Sequence, residues 1–595
     1  MTLATTSTEQ DEAAVVAKIT DLDKWEQLSE VQIGAAFGSK DPDGTLIVTG
    51  RIPVMRIEYV RQQPFVSSLK GAQLLQPTLN KTLKETGAHE DLLPKGNQVE
   101  GGKGVVVGII DYGMDFVHQN FRNSGGSTRL LSIWDQAGPA TAASPLGYGR
   151  EYSRDEINHA LGQNDPYAAL GYGPAKDTRG THGTHVADIA AGNGRGSSVP
   201  GVAPNADLVF VEVSHADISF SGPEVVGSSF GDSVRLLEAV QYIFHKAKER
   251  PCVINVSLGT NGGPHDGSTL VEDAIDRLIR QAPNRAVVIA ASNSFSDGIH
   301  AAGKVRENGH SDLKWEVLTG DASYNELEVW YSGRDKFAVE LIAPGGNSLG
   351  TINPGTNGTL VIENQVLIFV ANRLDDPNNG DNMIGVFLER GLPAGQWIVR
   401  LHGLTSRDGS FHAWIERDNL TPSNFAPPHD NTHTLGSISC GHETIVVGSY
   451  DAHKVSAPLS FFSSSGPTRD DREKPEISAP GHGVLAAHSR TSTGVVRKSG
   501  TSMAAPAVTG IIALMLGQAR AQGITLSTSQ IRAVLTRTAR RNPPSGNAWD
   551  PRYGLGRISA SKIVQDVMAL ASPPVVPPGK PKKKKKKKAA SGVRG

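Results

Sequence analysis

The 595-residue chain contains only two cysteines, Cys252 and Cys440. Two thiols exclude a disulfide framework and a four-thiolate metal site, and they read as buried free thiols rather than a bridge. Long apolar runs are missing too. No stretch of eighteen or more apolar residues appears, so no membrane span is expected. The N-terminal MTLATTSTEQDEAAVV lacks the basic and apolar regions of a secretory signal, which makes a cytoplasmic location the expectation. Net charge is nearly absent: 59 Lys and Arg against 60 Asp and Glu leave −1. That balance singles out no partner. What is abundant is glycine, 66 residues, in a chain that is 38% hydrophobic and 20% charged. Such a composition suits a globular protein with many tight turns, and the length calls for two or three domains.

Residues 1–79 alternate apolar runs with helical ones: AVVAKIT, DLDKWEQL, VQIGAAF, TLIVTGRI, PVMRIEYVRQQ and FVSSLKGAQLL. The order is β-α-β-β-α-β, the split βαβ plan, with Pro53 opening the second helix. Residues 80–103 are polar and glycine-containing and read as an exposed linker. Over residues 104–300 the near-continuous β-branched runs GVVVGIID, NADLVFVEV, PCVINVSLG and RAVVIAASN are separated by helical segments such as SVRLLEAVQYIFHKAKE. That pattern predicts an α/β fold with a mainly parallel sheet buried on both faces. Ligands bind such sheets at the carboxyl ends of strands, and Asp111 and Asn293 fall just past two of them.

Between residues 301 and 431 the strands become short and alternating, with aromatics: LEVWYSG, FAVELIAP, TLVIEN, QVLIFVAN, GQWIVRLHG and FHAWIER. An inserted antiparallel sandwich is predicted, and its aromatics Trp330, Trp397 and Trp414, in alternating strands, read mostly as core rather than as a carbohydrate-stacking platform. The α/β character resumes over residues 432–571. Residues 572–595 are proline-rich and then polylysine, and they read as disordered.

Three short constellations carry chemistry. In IIDYGMD, Asp111 closes an apolar strand and Gly113 permits a sharp turn. In THGTHVADIAAG, His182 begins a small-residue helix. In SGTSMAAPAVTGIIALM, Ser502 lies at the start of an apolar helix, where backbone N–H groups converge on an approaching anion. Alone, each is an ordinary cap, turn or helix opening. Together they supply nucleophile, base and orienting acid, the set that hydroxyl activation requires. Spacing alone does not choose them over the neighbouring Asp115, His185 and Ser499.

These three motifs, in the order Asp, His, Ser, resemble those of the subtilisin-like serine peptidases, and GTSMAAP is the most specific. The resemblance implies a subtilisin-like three-layer fold and a triad of Asp111, His182 and Ser502. It places the oxyanion-binding amide on Asn293 in VVIAASNS, with Ser292 standing where the family usually has glycine. Ser257, Leu258 and Gly259 in NVSLGTNGG would line the cleft and pair with extended peptide. Polypeptides are the implied substrates, cleaved internally through a covalent acyl-enzyme. A peptide-binding protein without activity, and an esterase or exopeptidase, remain the alternatives.

The N-terminal unit resembles the ferredoxin-like propeptide of subtilisin-like precursors, which implies an intramolecular inhibitor removed by self-processing between about Leu74 and Gly104. A permanent accessory domain is the alternative. The sandwich resembles the jelly-roll insertion of some members. No cofactor is implied for the chemistry. The resemblance allows structural calcium, although no loop carries the spaced acids of a calcium motif. Lys582 to Lys588 could hold anionic polymers through counterion release.

Overall fold

The computed structural model describes residues 12–37, 44–71, 79–175, 182–213, 228–321, 323–363, 365–416, 423–427, 429–541 and 549–570. The proline- and lysine-rich tail lies outside the described residues. The chain divides into two units, residues 1–77 and 78–595.

In the first unit, strands Glu12–Ile19, Gln32–Phe37, Leu46–Pro53 and Val66–Gly71 alternate with helices Leu22–Glu26 and Ile57–Arg61 in the order β-α-β-β-α-β. All pairings are antiparallel, and the strands lie in the order second, third, first, fourth. Val48 and Ile52, two turns of the pleat apart on one strand face, share a core with Trp25 and Val60. The sheet is thus covered on one side, which is why its strands alternate in polarity. Pro53 does not open the helix as expected: it ends a strand, and the short 3-10 turn Val54–Arg56 intervenes.

The second unit is built on an eight-stranded sheet. Its order is Ile477–Pro480, Ile445–Tyr450, Arg285–Ala290, Cys252–Val256, Val106–Asp111, Asp207–Glu212, Leu130–Asp135, Arg150–Ser153. Every neighbouring pair is parallel except the last. Val107 and Ile109 enter a core shared with helices His182–Ala191 and Thr501–Ala521, whereas Val106 and Ile110 enter one shared with helices Ser228–Ala247 and Leu270–Arg280. Both faces are covered, so the apolar runs are continuous, and the α/β class expected from the sequence holds. Helix Thr501–Ala521 is long and apolar enough to cross a bilayer, but 94% of its apolar window is buried inside the fold. It is a core helix here. Cys252 and Cys440 are buried free thiols.

The stretch 80–103 is not an exposed linker. It carries helix Leu79–Thr86 and the turns Glu90–Leu92 and Glu100–Gly102, and Leu83, Ala88 and Val99 are buried in the main core. Glu85 receives Arg540 and Arg557 at 2.8 and 2.7 Å. The buried apolar residues are few among polar and glycine neighbours, which composition alone obscures.

Residues 300–425 form two antiparallel sheets, one of six strands and one of five. Their inner faces share one core, with Leu327, Val329 and Ile384 from one sheet against Trp315, Val399 and Trp397 from the other. Trp330 and Trp414 are buried as well, but outside this core. They lie on the outer face of the six-stranded sheet in a separate cluster with Ile299 and Met383. Around Trp414 that outer face docks on the parallel-sheet half, where His265 stacks on the Trp414 ring, whereas Asn357, Thr359 and Arg373 at its far edge are exposed.

Candidate active site

Asp111 ends its strand fully buried, and Gly113, at φ 80°, turns the chain sharply just beyond it. The turn holds the first turn of the next helix: the Gly183 N–H donates to the Tyr112 carbonyl at 2.7 Å and the Thr184 N–H to the Gly113 carbonyl at 2.8 Å. Gly183 is required by this approach, because a Cβ there would meet the Tyr112 oxygen at 2.7 Å and the Phe210 ring at 2.8 Å. So docked, the helix carries His182 Nδ1 to 2.6 Å from Asp111 Oδ1. Burial pushes the His182 pKa down, but the Asp111 charge and hydrogen bond outweigh it, against opposition from Lys498, and leave it above the ordinary value. With Nδ1 committed to Asp111, Nε2 is the nitrogen left to accept a proton.

Ser502 is the second residue of helix Thr501–Ala521, which packs against the His182 helix. Its hydroxyl donates to the Ser257 carbonyl at 3.4 Å. That long bond is easily given up when the hydroxyl turns to His182, since catalytic hydrogen bonds commonly tighten only with substrate in place. Pro506 lies four residues on and has no N–H, which deprives the Ser502 carbonyl of its helical donor. The Ser257 hydroxyl takes that place at 3.2 Å. Beneath it, Asn255 Nδ2 donates to Ser257 Oγ at 2.9 Å and the Thr509 hydroxyl to Asn255 Oδ1 at 3.1 Å. The proline of GTSMAAP thus couples the nucleophile's backbone to the neighbouring strand, and neither Asn255 nor Thr509 could be found from its own local motif.

Asn293 Oδ1 accepts from the Thr501 N–H at 2.8 Å and the Thr501 hydroxyl at 3.0 Å. Those bonds fix the amide plane and leave Nδ2 as a free donor beside Gly500. The Met503 N–H is spent on the Gly500 carbonyl at 3.0 Å, so the Ser502 N–H is the amide between them that remains for an anion. Ser292 has φ 83°. The position demands the left-handed backbone that glycine adopts freely, and serine holds it at a cost.

Ser257 is buried, Leu258 half-buried and Gly259 exposed with open space about its Cα. The loop that continues from them is clamped by the six-stranded sheet: Glu416 accepts the Asn261 and Gly262 N–H groups at 2.8 Å each, and Glu328 accepts the Gly263 N–H at 2.8 Å. These carboxylates were invisible to motif reading because they come from the far segment. Glu212 was missed as well. It pairs in register with Asp111, accepts the Tyr172 hydroxyl, and has its pKa pushed up to about 7 by burial, with the Asp135 and Asp111 charges adding to the rise.

The neighbours that spacing could not separate take other roles. Buried His185 faces the Val484 and Val496 carbonyls at 3.1 and 3.0 Å, and burial pushes its pKa down to about 3. Asp115 accepts the Tyr167 hydroxyl at 2.8 Å and the Arg490 N–H at 2.7 Å. The Ser499 hydroxyl accepts the Gly483 N–H at 2.9 Å.

The Subtilase family model matches residues 102–368 and 420–556, more than half of the chain, and the chain belongs to that family of serine peptidases. The described residues between these blocks, 369–416, belong to the two antiparallel sheets and their connections. The minor extracellular protease Vpr of Bacillus subtilis is 24% identical over 496 residues, 79% of this chain and 52% of that protein. An intracellular serine protease of Paenibacillus polymyxa is 26% identical over 258 residues, 43% of this chain and 61% of that protein. The chain therefore spans less than two thirds of the length of these relatives. The structure of the Clostridium perfringens CspB protease is similar with a TM-score of 0.69 and 26% identity, over 82% of this chain and 97% of that one.

Proposed function

We propose that this chain is a serine endopeptidase in which Ser502 is the nucleophile, His182 the general base and Asp111 the orienting acid. The observation that carries the reading is the 2.6 Å contact of His182 Nδ1 with buried Asp111, on a helix packed against the one that presents Ser502. Serine is almost wholly protonated at its own pKa, so attack needs a base in place. Ser502 Oγ turns from the Ser257 carbonyl, gives its proton to His182 Nε2 and bonds to the scissile carbonyl carbon. The developing oxyanion meets Asn293 Nδ2 and the Ser502 N–H, neither of which has another acceptor among the described residues. Collapse breaks the C–N bond, and His182 returns the proton to the leaving amine. Water, deprotonated by the same nitrogen, then releases the acyl group and restores Ser502.

Substrate pairs as an extended strand with Ser257, Leu258 and Gly259. The jelly-roll-like insertion at residues 301–431 serves to hold that segment in place, which the Glu416 and Glu328 contacts support. The ferredoxin-like first unit acts as an inhibitor lost by self-cleavage. Processing falls before Leu79, because Leu83, Ala88 and Val99 belong to the main core. Subtilases need no cofactor for this chemistry. Calcium, which the family resemblance allows, finds no cluster of three carboxylates among the described residues, and no step runs through it.

The test is a serine-directed phosphonate together with cleavage mapping on an unstructured protein. Labelling at Ser502 and cuts at internal bonds are expected, both lost in Ser502→Ala. A wild type that is unlabelled, or that releases only terminal residues, would overturn the proposal.

A further inference from the structure

On the outer face of the six-stranded sheet, away from the triad, three histidines converge. His300 begins strand His300–Lys304, and His412 lies on the neighbouring antiparallel strand Ser410–Ile415. The register pairs His300 with Trp414 and Ala302 with His412, so both imidazoles stand on one face, diagonal to each other. His433 comes from the segment leading back into the parallel sheet. One ring nitrogen from each of the three lies within 4.8 Å of the others.

We propose that His300, His412 and His433 bind one divalent transition-metal ion of the zinc class. Three imidazoles with no thiolate suit zinc better than calcium or magnesium, which prefer oxygen, and water completes the tetrahedron. Nitrogens around such an ion lie about 3.3 Å apart. His300 Nε2 and His412 Nδ1 are already at 3.0 Å, and half-buried His412 and His433 have room to close the remaining gap.

The surroundings set the tautomers. His300 Nδ1 faces the Asp430 carbonyl at 3.3 Å and its carboxylate at 3.7 Å. His433 Nδ1 lies 2.7 Å from the Thr432 hydroxyl, which donates to Asp430 Oδ2 at 2.8 Å. One acid thereby supports two imidazoles and leaves both Nε2 lone pairs directed elsewhere, the arrangement that orients metal-bound histidine. Without an ion, the neutral His412 ring in its Nδ1–H tautomer donates to His300 Nε2 at 3.0 Å, and the ion would take the place of that proton. Burial holds all three pKa values below the ordinary one, helped by neighbouring imidazoles at His300 and His412 and opposed by Asp430 and Asp471 at His433, so the rings are neutral and ready to ligate. Arg469 is the nearby cation that opposes binding, and Asp266 and Asp381 neutralise it at 2.6 Å each.

His433 has φ 55°, a left-handed conformation uncommon for histidine. Its carbonyl accepts Trp414 Nε1–H at 2.8 Å. Three residues on, the Gly436 N–H donates to the Ala291 carbonyl at 3.3 Å, beside the oxyanion turn. The ion would tie the strand entering the sandwich to the segment leaving it.

The experiment uses the full, untagged chain carrying Ser502→Ala to prevent self-digestion. Zn²⁺ is titrated against a chromophoric chelator, and Co²⁺ reports geometry by its visible absorption. One equivalent should bind with a tetrahedral Co²⁺ spectrum and raise Tm. His412→Ala and His433→Asn should each weaken binding about 100-fold or more, and Thr432→Val about tenfold. Asn suits the left-handed backbone at 433, so that variant should fold. His402→Ala, on the other sheet, should bind as the parent does. Absence of a bound equivalent in the parent, equal affinity in the His412 and His433 variants, or equal loss in His402→Ala would each overturn the proposal.

Discussion

His182 and His412 are both partly buried histidines in one chain, yet their surroundings push them in opposite directions. Asp111 at 2.6 Å holds His182 above the ordinary pKa, whereas burial and the His433 imidazole push His412 down to about 4. Residue type is the same. What differs is the partner: a carboxylate makes a proton acceptor, and a ring of imidazoles makes neutral lone pairs. The same contrast runs through the two regions. The triad corner keeps donors free and backbone strained at Ser292, while the junction corner satisfies glutamates with backbone N–H groups and stacks His265 on Trp414 at 4.1 Å.

The strongest way to break the comparison is to take the carboxylate from His182. Asp111→Asn should lower kcat about 10⁴-fold, the usual loss when a triad acid becomes an amide. It should also move the acid limb of the kcat/KM profile from above the ordinary histidine value to below it. A limb that stays in place would refute the electrostatic role. Asn293→Ala should cost about 10²–10³ in kcat, a magnitude known from subtilisin rather than derived from this geometry, with KM little changed.

At the junction, Glu416→Ala should raise KM about five- to tenfold through loss of two charge-assisted hydrogen bonds to the loop beyond Gly259. An unchanged KM would separate the sandwich from substrate binding. His412 sharpens the contrast through stability. Between pH 4 and 6.5 the unfolded chain binds a proton there that the metal-free native state does not, so stability rises with pH across that window and is lost as pH falls. His412→Gln should flatten that slope in denaturation curves, and an unaltered slope would count against its depressed pKa. The smallest effect is expected at Ser292→Gly. Relief of the left-handed backbone, about 1–2 kcal/mol, exceeds the entropic cost of glycine, about 0.5–1 kcal/mol, so Tm should rise slightly.

Much was legible without coordinates. The apolar runs ending at Asp111 and Ala290, the small-residue helix after His182 and the GTSMAAP segment each place one chemical group at one kind of element boundary, because strand and helix ends are set by local sequence. The departure at Ser292 was visible too, although its meaning was not. A sequence gives no φ, and only the 83° backbone explains why glycine suits that position. The stretch 80–103 misled for the opposite reason: a few apolar residues among glycines and charges look exposed until their packing partners are known.

The sequence by itself determined which groups could do chemistry and the kind of sheet that carries them, since periodicity and helix-start signals are properties of short segments. Only the tertiary structure decided how those groups are poised. The Asp111 contact, the Thr501 bonds that aim Asn293, the Ser257 hydroxyl that replaces the donor Pro506 lacks, and the convergence of His300, His412 and His433 all join segments far apart in the chain. Their hydrogen bonds and pKa shifts depend on separations of a few ångströms, which no local pattern encodes.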